Sequence, residues 1–112
     1  MLLRFTVVFT FLASVAAANP LTLADLEGVG FEFDEQQLFF MVGAIDGWSG
    51  KIDDERIEAY FYADAAFEFP ALLENSTKEG NLSGWVDMCR VENVLMLSKG
   101  ESACAMLDEL TE

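Results

Sequence analysis

The chain has 112 residues, with six basic residues against twenty acidic, no histidine and a formal charge of −14. So acidic a chain is a poor partner for nucleic acid or an anionic membrane, which are bound through lysine and arginine. The lack of histidine excludes Ser-His, Cys-His and His-metal sites, no glycine-rich phosphate loop occurs, and no catalysis is expected.

Met1 to Arg4 is a short start with one positive charge, Phe5 to Val15 is almost wholly apolar, and Ala16-Ala17-Ala18 offers small residues. Residues 1–18 therefore read as a secretory signal peptide cut after Ala18. The apolar run is short for a membrane span, and Asn19-Pro20 follows it directly. The mature chain is expected to be soluble, extracellular and monomeric. Loss of Arg4 leaves Lys51, Arg56, Lys78, Arg90 and Lys99 against twenty acidic residues, a charge near −15. Residues 19–112 suffice for one small domain. Their content of Phe, Leu, Val and Met separates them from disordered acidic tails.

Residues 19–33 form an N-terminal segment with a short helix over 20–27, capped by Thr22 with Asp25 three residues on. Gly28-Val29-Gly30 ends it, and Phe31-Glu32-Phe33 reads as an extended connector. The main domain spans 34–112. Asp34 and Gln37 give a capping-box pattern. Leu38, Phe39, Met41, Val42 and Ile45 follow at helical spacing. Residues 46–50 read as a loop. Asp53 opens a second helix with Ile57, Tyr60, Phe61 and Tyr62 inward, and Pro70 suits the first turn of a third. Residues 75–84 are turn-rich. Asp87 opens a fourth helix with Met88, Val91, Val94 and Leu95 inward, and 101–110 forms a last short helix. The expected fold class is all-α.

Residues 49–61 (SGKIDDERIEAYF) align without gaps on 83–95 (SGWVDMCRVENVL). They share Ser49/Ser83, Gly50/Gly84, Asp53/Asp87, Arg56/Arg90 and Glu58/Glu92. Such a repeat implies one supersecondary unit used twice. A glycine, then an apolar β-branched residue, then a helix-starting Asp resembles the second half of an EF-hand loop. The resemblance implies two paired helix–loop–helix units, with Ile52 and Val86 joining the loops.

In that register the first loop presents Ile45 and Gly47 where oxygen ligands belong, and Arg56 at the closing position. The second presents Glu79, Asn81, Ser83, the Trp85 carbonyl and Asp87 as possible metal ligands, but again closes on arginine, Arg90. Arg56 with Asp53, and Arg90 with Asp87, could instead hold each loop by a salt bridge. The alternative is two arginines on solvated faces. No cofactor is expected beyond weak calcium.

Cys89 and Cys104 are read as one disulfide across neighbouring helices, worth about 3 kcal/mol. Asn75 and Asn81 each begin an N-glycosylation pattern. Phe39, Phe40, Met41, Phe67, Phe69, Met88, Met96 and Met106 could line a partner groove or fill the core. Trp48 and Trp85 could be exposed anchors or core caps. The functional expectation is a secreted EF-hand-like module that binds an extracellular protein, with calcium binding weak or lost. The alternative is an extracellular calcium-binding protein using the second loop.

Overall fold

The computed structural model describes residues 20–78, 80 and 82–111, so the signal-peptide reading of 1–18 falls outside the described residues. Five strands form one antiparallel sheet: β1 (Phe31–Gln36), β2 (Asp46–Ile52), β3 (Glu55–Phe61), β4 (Asp87–Val91) and β5 (Val94–Ser98), in the order β1-β2-β3-β5-β4. Among the described residues, two short helices, α1 (Leu23–Glu27) and α2 (Ser102–Asp108), accompany it. The described residues also form three 3-10 turns: η1 (Phe40–Val42), η2 (Ala71–Leu73) and η3 (Glu109–Thr111).

The all-α expectation, with its two helix–loop–helix units, is therefore wrong, and the EF-hand scaffold falls with it. The cause is a period read in too short a window. Ile57, Tyr60 and Phe61 sit at helical spacing, but the same segment also alternates. Ile57, Ala59 and Phe61 join one core cluster, while Tyr60 joins a second on the other face. A sheet covered on both faces has strands with near-continuous apolar runs, which lose the alternation that marks a strand. All five residues of β5 are buried.

On the first face, Ile52, Ile57, Ala59, Phe61, Val94 and Met96 pack with Leu26 of α1 and with Ala103 and Leu107 of α2. On the second, Tyr60, Leu95 and Leu97 pack under Val42, Ala44 and Tyr62, with Phe39, Phe67, Leu73, Trp85 and Met88 partly buried around them. Helices cover one face, and η1 and η2 with their loops cover the other.

The aligned stretches are not structural repeats. In the first, β2 ends at Ile52, Asp53-Asp54 turn, and β3 begins. In the second, Val86 leads into β4, which holds the matching Asp87 and Met88. The shared glycines also differ. Gly84 has φ +78°, a left-handed conformation. Gly50 lies inside β2, where a Cβ would stand 2.2 Å from the Glu32 carbonyl oxygen and 2.7 Å from Phe33 Cα. Gly50 is needed for the close approach of β1, not for a turn.

One local and two long-range contacts close the fold. Thr22 and Asp25 form a reciprocal capping box on α1. Leu21 N donates to Asn93 Oδ1 at 2.7 Å, and Asn93 Nδ2 donates to the carbonyls of Leu21 at 3.0 Å and Tyr62 at 3.1 Å. Asn93 thereby satisfies its buried amide and fixes the N-terminal segment to the β4–β5 turn. Cys89 of β4 and Cys104 of α2 form a disulfide with Cα atoms 5.8 Å apart. It joins strand to helix, not two helices.

Candidate functional site

The residues of the expected calcium loop do not converge. Glu79 and Asn81 lie outside the described residues. Ser83 Oγ donates to the Ser76 carbonyl at 2.8 Å and accepts from Trp85 N. Trp85 packs against the second core cluster, with Lys99 Nζ 4.3 Å from its ring centroid. Asp87 belongs to β4, opposite Ser98. Among the described residues, no group of three or more His, Cys, Asp or Glu could hold a metal ion. The expectation that the second loop binds calcium is therefore not met by the fold of the described residues.

Neither arginine pairs with its expected aspartate. Arg56 Nη1 donates to Asp34 Oδ2 at 2.8 Å, and Nη2 reaches Asp34 Oδ1 at 3.3 Å, whereas Asp53 sits in the β2–β3 turn. The Arg56 guanidinium holds the Asp34 carboxyl below its usual range. Both side chains are about half exposed, so the pair contributes little to stability.

Arg90 leaves Asp87 for a different task. It donates to the carbonyls of Ala65 and Phe67, and its guanidinium lies 3.7 Å from the Phe67 ring centroid. Phe67 stacks on Tyr62 at 3.8 Å and 5°. The Tyr62 hydroxyl, its pKa raised by burial, donates to the Val42 carbonyl at 2.7 Å. One stack of three side chains thus ties the loop after β3 to η1. A guanidinium suits this role because it is planar and can donate while stacked.

Asn75 is exposed just after η2, and Asn81 lies outside the described residues. Trp48 of β2 packs partly buried against the first core cluster, its ring 5.0 Å from that of Phe33. Both tryptophans therefore lie against core clusters.

The exposed apolar surface lies elsewhere. At η1 and its approach, Phe39 turns inward while Leu38, Phe40 and Met41 remain 76%, 78% and 69% exposed. In η2, which packs against η1, Leu73 turns inward while Leu72 is 62% exposed. The two turns thus present a shared patch of Leu38, Phe40, Met41 and Leu72, held in place from beneath by Phe39, Leu73 and the Arg90 stack. Glu68 and Glu74 flank η2, and both are exposed. Of the suggested groove residues, Phe40 and Met41 belong to this patch, while Met96 is fully buried in the first core cluster. Helical spacing places Leu38 on an apolar helix face, and only the 3-10 turn that follows it leaves it outside.

No family model, curated protein or solved structure matches the chain.

Proposed function

We propose that the chain is a secreted binding protein that docks a basic, apolar-faced segment of another extracellular protein on the Leu38, Phe40, Met41 and Leu72 patch. The observation that carries this reading is the outward projection of four large apolar side chains from two turns that are themselves anchored. Contiguous exposed apolar patches on small proteins mark interaction sites. Charge selects the partner. Arg56, Arg90 and Lys99 are engaged in internal contacts, and the two other basic side chains of residues 19–112, Lys51 and Lys78, are exposed among twenty acidic residues, so the surface is acidic on balance. A basic partner is attracted, whereas a second copy of a chain with charge near −15 is repelled.

The test is an anisotropy titration of residues 19–112 with a labelled amphipathic Lys/Leu peptide, and with its Glu/Leu counterpart. Saturable binding of the Lys/Leu peptide alone is expected, weakened about tenfold or more in the variant Leu38→Ser/Phe40→Ser/Met41→Ser. That variant keeps the net charge. Undiminished binding by it would leave charge alone as the cause and overturn the patch.

A further inference from the structure

A second site lies where the N-terminal segment crosses the end of β2 and β3. We propose that the cleft there binds a single cationic group on an apolar stem, an alkylammonium or alkylguanidinium. The cleft measures about 250 Å³ and is lined by Leu21, Leu23, Ile45, Phe61 and Ala63 together with Asp46. That is smaller than a drug-sized pocket and suits one aliphatic chain.

Its walls are fixed. The 2% exposed Asn93 holds Leu21 through both backbone groups, and Ile45 N donates to the Phe61 carbonyl at 2.8 Å. Asp46 supplies the charge. Its Oδ1 accepts from Gly47 N at 2.9 Å and Gln36 Nε2 at 3.0 Å, and its Oδ2 accepts from Trp48 Nε1 at 3.1 Å. A carboxylate offers about four acceptor positions, so one on Oδ2 is still open. Among the described residues the one salt bridge is Arg56–Asp34, and no lysine or arginine pairs with Asp46. An oriented carboxylate without a cation, beside an apolar slot, selects a positive head on a greasy stem and rejects an anion.

Trp48 is a built-in reporter, because its indole N–H is bonded to that carboxylate. The probes are n-pentylammonium, pentan-1-ol and pentanoate, added to the Trp85→Phe protein while Trp48 emission is followed. Pentylammonium is expected to bind about tenfold tighter than the alcohol, the increment of one hydrogen bond to a charged group, and pentanoate weaker than either. Asp46→Asn should equalise ammonium and alcohol. Ala63→Phe, which fills the slot without touching a hydrogen bond, should abolish both. Equal binding of all three probes, or ammonium binding that survives Ala63→Phe, overturns the site. The probes read the cleft and the peptide titration reads the patch, so either proposal can fail alone.

Discussion

Glu55 caps a helix that begins 47 residues later. Its Oε1 accepts from Ser98 Oγ at 3.1 Å and Ala103 N at 3.0 Å, and its Oε2 accepts from Ser102 N at 3.1 Å and from the Ser102 hydroxyl. The local N-cap residue, Glu101, makes no side-chain cap, so the orphan donors of α2 are met from β3. The Ser102 hydroxyl, then the Ala103 N–H, lower the Glu55 pKa below its ordinary value of 4.5. A carboxyl whose pKa is lower when folded contributes stability above its unfolded pKa, and that stability is lost as pH falls through the folded one. Glu55→Gln is expected to cost about 1 kcal/mol at neutral pH, as loss of a cap does. The gap from the parent protein should close in acid below pH 4.5. Urea denaturation of both proteins across pH measures it, and a gap independent of pH would contradict the clasp. Such a long-range cap leaves no sequence signal. The Thr22–Asp25 cap, three residues wide, was readable.

Among the elements, the hairpins were hidden by their turns. Asp53 and Asp54 both have positive φ, +52° and +68°, and they connect strands paired up to Ile52 and Glu55. A two-residue turn of this conformation is usually announced by Asn-Gly or Asp-Gly. Asp-Asp reads just as well as a helix start, and Glu92-Asn93 between β4 and β5 as the middle of a helix. Asp54→Gly removes the penalty of holding a side chain in the left-handed region and is expected to stabilise the protein by about 1 kcal/mol. An upward shift of the thermal midpoint would show it, and a fall would contradict the turn. The run from Leu38 to Val42 misled for a related reason. Five apolar residues in a row look like a helix core, yet a 3-10 turn over a sheet buries Val42, partly buries Phe39 and exposes the others.

At the scale of the whole molecule, acidity and apolar content both read directly from the sequence, but their arrangement did not. The sheet takes apolar residues on both faces, with α1, α2 and the turns as covers, and the Cys89–Cys104 bond fastens the edge strand β4 to one cover. Ile45, Leu82 and Val86 are also exposed, but the grouped apolar side chains that the covers leave exposed are those at η1 and η2, on a surface whose charge favours basic partners. The exposed patch at η1 and η2 is therefore where a partner is expected to dock. The most direct test is amide chemical-shift mapping of residues 19–112 titrated with the Lys/Leu peptide. The largest, saturable shifts are expected in residues 38–45 and 70–75, with β1 and the outer face of α2 little changed. Shifts spread evenly over the acidic surface, or centred on another element, would contradict it.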